Sequence, residues 1–484
     1  MSSLIDDIPL GPFIAGDYVT VSSPEVVPTF DPATGAVLAN VPLSDRSMVD
    51  RAVHAAKAAS TGPWSDLTPA DRSRILYRTA ALIRRDAENL SVVESLDSGK
   101  PLREAKGDIE TSARYFEYYA GIADKLQGAT IPLGPDFVSM TLLQPIGVTA
   151  HIIPWNFPLV TTARGVAPCL AAGAVAVVKP AEETPLTALL LGRILKEAGL
   201  PDGVYNVVCG PGEETGAALV AHPDIMHVTF TGSTETGKIV MKTAADHTAA
   251  VTLELGGKSP VVVLADADVD KALEGVLKAI FTNAGQVCSA GSRLIVERSL
   301  AKSFIDSLVA ATQSLGLGKG LTDPGVGPVI SSTQLHKISG MVADAAERGA
   351  SVLVGGNIVT PDGLEGGNFF APTLVLTEDP ADPIVQEEIF GPVLVIQIAD
   401  DFDHAVQLAN GTRFGLVAGI YTRDISKANR FAQKVDAGQI YINQYFAGGV
   451  ETPFGGTKAS GFGREKGLEG LRAYLQVKTV TTRL

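Results

Sequence analysis

The sequence is poor in cysteine, with only Cys169, Cys209 and Cys288 in 484 residues. Three thiols make no disulfide framework and fit a reducing compartment. Positive charge is also in short supply: 39 Lys and Arg against 53 Asp and Glu leave a net charge of −14. That balance excludes nucleic acid or an anionic membrane as the natural partner. No apolar run is long enough to span a bilayer. Met1–Leu10 carries Asp6 and Asp7 in place of the basic start of a secretory signal, so the expected location is cytoplasmic. No group of His, Cys or Asp has metal-ligand spacing, the seven histidines are scattered, and no metal is expected. Internal repeats, low-complexity segments and a G-x-S-x-G elbow are likewise missing.

What is present describes an ordinary globular chain. Hydrophobic residues make up 45% and charged residues 19% of a chain too long for one core, so two or three domains are expected. The 50 glycines are scattered and mark turns between short elements. Ser44 precedes Met48, Val49, Ala52, Val53 and Ala56 at helical spacing. Thr68-Pro69-Ala70-Asp71 supplies a capping hydroxyl, a proline at the first helical position and an early carboxylate.

From about residue 146 the texture becomes strand, turn and helix, repeated. Apolar runs at Val148–Ile153, Ala174–Val178, Val204–Val208 and His227–Phe230 alternate with helical stretches opening at Thr184-Pro185, Glu213 and beyond Ser233. A second block near Ser259 runs through Val261–Leu264, a helix over Val269–Ile280, Leu294–Val296, Val352–Val354, Val393–Ile396 and Gly419–Tyr421. The alternation predicts an α/β fold: two domains of parallel-type sheets facing each other across a cleft. Gly121–Gln144 interrupts the first block, and the tail Ala473–Thr482 alternates around Val477 and Val480. An unpaired tail strand is a liability that pairing with another subunit removes, so a homo-oligomer is expected.

Strand ends are where such sheets bind ligands. Cys288 lies in Phe281-Thr-Asn-Ala-Gly-Gln-Val-Cys-Ser-Ala-Gly-Ser292, between a helix and a strand. It is either a small buried thiol or a nucleophile of lowered pKa, whereas Cys169 and Cys209 sit among apolar neighbours and read as inert. Glu254, in Val251-Thr-Leu-Glu-Leu-Gly-Gly-Lys-Ser259, is costly to bury alone. It is either salt-bridged or a general base with a raised pKa. Pro154-Trp155-Asn156-Phe157-Pro158 is a rigid corner in which Asn156 offers an amide N–H to an oxyanion. Phe230-Thr-Gly-Ser-Thr-Glu-Thr-Gly237 is a strand, turn and helix start, suited to a phosphate. Gly210-Pro-Gly212 completes only part of G-x-G-x-x-G, since Thr215 holds the last glycine position. Lys179 and Glu182 sit just past a strand end, where a carboxylate can accept both ribose hydroxyls of an adenosine. A cysteine hydrolase that needs no NAD is the alternative from another class, and it requires a histidine beside Cys288.

Order and spacing carry more than any one segment. Pro154–Pro158, Lys179-Pro-Ala-Glu182, Phe230–Gly237, Glu254-Leu-Gly-Gly-Lys-Ser-Pro260, Gly285-Gln-Val-Cys288, Glu387-Glu-Ile-Phe-Gly-Pro392 and Pro453-Phe-Gly-Gly456 together resemble the motif series of the aldehyde dehydrogenase superfamily. The likeness runs from about Phe30 to the C-terminus. It implies that family's fold, with an NAD-binding domain over 1–122 and 146–254 and a catalytic domain over 255–454. A bridging oligomerisation element would comprise 123–145 and 455–484.

The resemblance also implies hydrolytic, NAD-linked oxidation of an aldehyde to its acid. Cys288 would attack the aldehyde carbon, Asn156 and the Cys288 backbone N–H would hold the oxyanion, and Glu254 would activate water against the thioester. The cofactor contacts carried over are Ile153, Pro154, Trp155, Lys179, Glu182, Gly212, Gly216, Phe230, Gly232, Ser233, Gly237, Leu255, Glu388 and Phe390. Glu182 would repel a 2′-phosphate, which favours NAD, with NADP the second choice. Phe157, Arg164 and Phe454 would line the substrate tunnel. Semialdehyde dehydrogenases that accept a carboxylated substrate have an arginine matching Arg164 and a second six residues before the cysteine, where this chain has Thr282. Gly165 stands where many relatives have a lysine that pairs with the glutamate matched by Glu465. A CoA-acylating semialdehyde dehydrogenase is the other alternative, and Glu254 argues against it because acylating relatives commonly lack that base. A homodimer or homotetramer is expected.

Overall fold

The computed structural model describes residues 2–21 and 25–484. The chain enters through helices whose starts are written in short polar segments. Asp45 accepts the Met48 N–H and opens the helix Arg46–Ser60. Thr68 and Asp71 exchange a capping box that opens α1 (Pro69–Arg85). Next come α2 (Ala87–Ser98), which stops at the left-handed Gly99, and α3 (Leu102–Ile122). Their apolar stripes, with Leu76, Ile83, Val93 and Phe116 buried, join the core of the first sheet.

That sheet follows β1 (Phe137–Pro145), which lies outside it. Its parallel centre is β2 (Val148–Ile152), β3 (Val175–Lys179), β4 (Tyr205–Val207), β5 (Ile225–Thr231) and β6 (Ala250–Glu254), in spatial order β4-β3-β2-β5-β6. Between β2 and β3 runs α4 (Pro158–Ala172), and between β5 and β6 runs α5 (Thr234–Ala245). The run Val-Ala-Val-Val-Lys of β3 is buried at every position, as expected for a strand covered on both faces. Thr231 and Glu254 are register partners, so the carboxylate stands at the carboxyl edge of the sheet.

The second sheet contains β7 (Pro260–Val263), β8 (Arg293–Glu297), β9 (Val393–Ala399), β10 (Val417–Tyr421) and β11 (Gln439–Ile442). The order β9-β8-β7-β10-β11 is parallel throughout, and α6 (Val269–Phe281) joins β7 to β8. Two further strands, Thr373–Leu376 and the antiparallel Ser351–Val354, extend the β9 edge. The α/β alternation read from the sequence is therefore the architecture observed.

The tail strand needs correction. β12 (Leu475–Arg483) is not left unpaired: it forms a nine-residue antiparallel ladder with β1 of its own chain, and Thr130–Ile131 adds a third strand. The segment that interrupts the first block supplies a strand of matching length. This small sheet still shows water apolar side chains on both faces, with Met140, Leu142 and Val480 exposed on one and Ile131, Phe137 and Val477 on the other.

One return strand ties the tail region to the site. Gly461–Phe462 pairs with Leu253 and Glu254 at the end of β6. Gly461 has φ +117°, and a Cβ there would lie 1.9 Å from the Leu253 carbonyl oxygen. Only glycine allows that approach. Gly461→Ala should therefore cost about 1–3 kcal/mol through backbone strain and displacement of β6. A lowered melting midpoint in thermal unfolding checks this, and an unchanged midpoint contradicts it.

Candidate active site

Cys288 is placed by a loop that ordinary backbone avoids. After α6, Asn283, Ala284 and Gly285 take φ of +48°, +55° and +72° in succession. Left-handed alanine and asparagine are strained, so the fold must hold them. The Asn283 N–H donates to Glu104 Oε2 at 2.8 Å, the Gln286 amide donates to the Asn283 carbonyl at 3.0 Å, and the Ile330 N–H donates to Gln286 Oε1 at 2.9 Å. A Cβ on Gly285 would meet the Gly391 carbonyl at 2.0 Å, which explains the glycine. The loop leaves Cys288 half-buried. Burial pushes its thiol up to about 12, with the Arg164 guanidinium pulling the other way. The resting group is a thiol, and it requires a base.

Asn156 faces the same loop from the first sheet. Its Nδ2 donates one hydrogen to the Gln286 carbonyl at 2.8 Å, which leaves the second N–H free for a ligand oxygen. Glu254 lies at the end of β6, buried, with neither carboxylate oxygen hydrogen-bonded. Burial, reinforced by the nearby Glu465, raises its pKa well above the usual carboxylate range, against the pull of Arg164 and Arg464. Glu465 is ion-paired directly with Arg164 Nε. Burial works against the Arg164 charge, and Glu465 more than offsets it, so the guanidinium stays protonated. Arg164 also donates to Thr231 Oγ1 at 3.3 Å and lies over the Phe454 ring. The cation beside Glu465 thus comes from position 164. A Cβ at Gly165 would instead strike His151 Nδ1 at 2.6 Å.

A cavity of about 180 Å³ opens between the sheets and is lined by Pro154, Trp155, Asn156, Thr231, Gly232, Ser233, Glu254, Gly256, Cys288, Gln334, Lys337, Glu388 and Phe390. Glu388 accepts the Gly257 N–H at 3.0 Å, and burial pushes its carboxyl up to about 7. A Cβ on Gly256 would sit 2.3 Å from Glu388 Oε2, so the glycine lets the carboxylate lie against the backbone. Trp155 and Phe390 meet edge to face at 5.2 Å. Among the described residues, no histidine lines this cavity.

The other sequence-derived residues, Gly232 apart, lie outside that lining. Lys179 Nζ pairs with Glu182 at 2.9 Å, and although burial opposes it, Lys179 brings Glu182 below its ordinary pKa. The Ile153 N–H donates to the Lys179 carbonyl. Phe230, Gly232, Gly237 and Leu255 form a packed unit in which Cβ atoms at the two glycines would meet the Phe230 ring at 2.6 Å and Leu255 at 2.5 Å. Gly212 faces open space, and Gly216 lies against the Lys179 stem. Thr215, at the missing glycine position, hydrogen-bonds the Ser44 carbonyl at 2.8 Å. Phe157 and Phe454 belong with Cys288 to the apolar cluster of the second sheet.

The sequence reading missed Thr231, Gly256, Gln334 and Lys337. Gln334 donates to the carbonyls of Ile389 and Phe390 at 3.0 and 2.9 Å and so holds Phe390 at its φ of +59°. Nothing local marks Gln334, but it stands three residues after the Ser331 N-cap of the helix Ser332–Glu347.

Two largely parallel sheets, with a thiol on one and a buried carboxylate on the other and both facing one cavity, have the arrangement of an α/β enzyme. The chain belongs to the aldehyde dehydrogenase family, whose model matches residues 18–480. It is 43% identical over 477 residues to a mitochondrial aldehyde dehydrogenase of Equus caballus, covering 98% of this chain and 95% of that protein. Its fold matches the NAD+ complex of an aldehyde dehydrogenase from Bacillus cereus with TM-score 0.97 at 40% identity, over 100% of this chain and 98% of that one. A betaine aldehyde dehydrogenase from Staphylococcus aureus in complex with NAD+ matches with TM-score 0.98 at 37% identity, over 100% and 96%.

The raised thiol pKa has a direct readout. Alkylation of Cys288 by iodoacetamide should accelerate about tenfold per pH unit from about pH 7 to 10, because only the thiolate reacts. Cys169 and Cys209, both buried, should stay unmodified. Peptide mass spectrometry checks both, and a plateau below about pH 9 would contradict the burial argument.

Proposed function

We propose that this protein is an NAD-dependent aldehyde dehydrogenase of the hydrolytic type, which forms a carboxylic acid through a thioester on Cys288. The convergence of Cys288, Asn156 and Glu254 on one cavity carries this reading. Cys288 Sγ attacks the aldehyde carbon, and the free N–H of Asn156 with the Cys288 backbone N–H meets the developing oxyanion. The thiol proton passes to Glu254, whose raised pKa makes it the stronger base of the Glu254–Glu465 pair. Bound NAD supplies the hydride acceptor that turns the thiohemiacetal into a thioester. Glu254 releases that proton to solvent, then takes one from the water that attacks the thioester carbon, and Cys288 leaves as the acid forms.

The residues present fit that cofactor. Glu182, held ionised beside Lys179, is a ribose-hydroxyl acceptor that repels a 2′-phosphate, which favours NAD over NADP. Glu388, admitted by Gly256, offers a second such acceptor, with Trp155 and Phe390 beside it. Ser233 caps the twelve-residue helix α5, whose N-terminal N–H groups suit a pyrophosphate. Arg164 serves the Glu465 carboxylate, so the site favours uncharged aldehydes over carboxylated ones.

The domain division proposed is 1–122 with 146–254 for the cofactor, 255–454 for catalysis and 123–145 with 455–484 as the bridge, and the presence of two large sheets supports it. The exposed apolar side chains on the β1–β12 sheet support a homodimer or homotetramer. Three free thiols support a reducing, cytoplasmic location.

The test is NADH formation with NAD and a panel of aromatic, aliphatic and carboxylated aldehydes, without CoA. Turnover should appear, and Cys288→Ala should lower it at least about 1000-fold with NAD binding retained. Turnover retained near the wild-type level in that variant would remove the covalent step. Glu254→Gln should accumulate acyl-enzyme, visible as a mass increase on the Cys288 peptide after rapid quench. Normal steady-state turnover would take the base role from Glu254.

A further inference from the structure

Lys100 is an ammonium where a fold rarely tolerates one. It follows α2 with its side chain wholly excluded from solvent, and the mechanism above makes no use of it. Its Nζ donates to Asp108 Oδ2 at 2.6 Å and to the backbone carbonyl of Asn156 at 2.9 Å. Glu94 Oε1 lies 3.8 Å away, and the Phe157 ring lies beneath the ammonium at 4.3 Å. Burial alone would discharge it. Asp108 and Glu94 outweigh that, so Lys100 remains charged.

The contacts converge on one residue. The Asn156 carbonyl receives Lys100 and also Asn283 Nδ2 at 3.1 Å, while the Asn156 side chain donates to Gln286. Glu94 and Asp108 anchor the other end. Glu94 accepts Thr187 Oγ1 at 2.8 Å and the Leu159 N–H at 3.4 Å, and Asp108 belongs to α3. Glu104, one turn before Asp108 on α3, accepts the Asn283 N–H of the strained cysteine loop. The N-terminal helices thus grip the Asn156 turn and the cysteine loop at once.

We propose that Lys100 is a positioning residue for the oxyanion, fixing the Asn156 backbone so that its free amide N–H points at the thiohemiacetal oxygen. This role rests on the aldehyde dehydrogenase reading above. A charged donor on the carbonyl of a turn residue limits rotation of that peptide, and misplacing a donor by a fraction of an ångström is felt in the rate.

The test is Lys100→Met, assayed for aldehyde oxidation per titrated active site, for NAD affinity by fluorescence and for Cys288 alkylation by iodoacetamide. Alkylation develops no oxyanion, so it reports the loop alone. Turnover should fall about 10- to 100-fold while NAD affinity and alkylation stay within about twofold. The loss should vanish on an Asn156→Ala background, because Lys100 acts through Asn156. Where the single variant fails to fold, Lys100→Met with Asp108→Asn removes both charges and is assayed in the same way. Unchanged turnover, losses that add to those of Asn156→Ala, or equal losses of alkylation and NAD binding would each overturn the proposal. Absent wild-type turnover with every aldehyde would sink the function and this role with it. Wild-type turnover matched by the variant counts against Lys100 alone.

Discussion

The hydrogen bond from Asn156 Nδ2 to the Gln286 carbonyl joins the two sheets at the point where chemistry must happen. Each sheet alone offers half a site. The first brings an amide and a carboxylate at the ends of β2 and β6, and the second brings a thiol on the loop between α6 and β8. Parallel sheets place such groups at their carboxyl ends, and two of them must face each other for the halves to meet. The left-handed run through Asn283, Ala284 and Gly285 lets the loop turn toward the first sheet, and its strain is borne by hydrogen bonds from elements distant in sequence.

Electrostatics at the site follow from dryness. A thiol near 12 and an unpartnered buried carboxylate are poor species in isolation, yet as a pair they are matched, since the carboxylate that resists ionisation is the one that welcomes a proton. Arg164 contacts Glu465 directly, so burial lifts that carboxyl less far above its ordinary range than it lifts Glu254. Guanidinium cannot release a proton at any working pH, so this cation organises the pair without joining the transfer. Gly165, beside it, makes room for His151, which hydrogen-bonds Thr149 at 2.8 Å and stacks on Tyr474.

Much of this was legible in the residues. The alternation of apolar runs and capped helices located β2, β5 and α6 to within two residues, because strands buried on both faces leave unbroken Val and Ala runs. Cys288, Glu254 and Asn156 were legible through their motif context, and the cavity gathers all three. Other features depend on contacts that no local pattern encodes. Arg164 meets Glu465 across 301 residues of chain, as the difference of the two numbers shows (465 − 164). Gln334 works by reaching two carbonyls beyond its own helix, and an isolated glutamine carries no sign of that. The tail strand read as partnerless because its mate, β1, lies in a stretch whose alternation is weak.

The late position of the closing segment shapes how this enzyme comes into being. Phe454 and Glu465 exchange backbone hydrogen bonds, Ser460 bonds both Gly256 and Leu255, and Gly461 reaches Glu254. Phe454, Ser460, Gly461 and Glu465 are all translated after Cys288, Glu388 and the parallel strands of both sheets. A nascent chain can therefore fold its sheets early, yet its acid–base pair is incomplete until residue 465 has emerged. Glu254 is already made by then, so what arrives last is the Glu465 carboxyl beside it and the strand that pairs with its backbone.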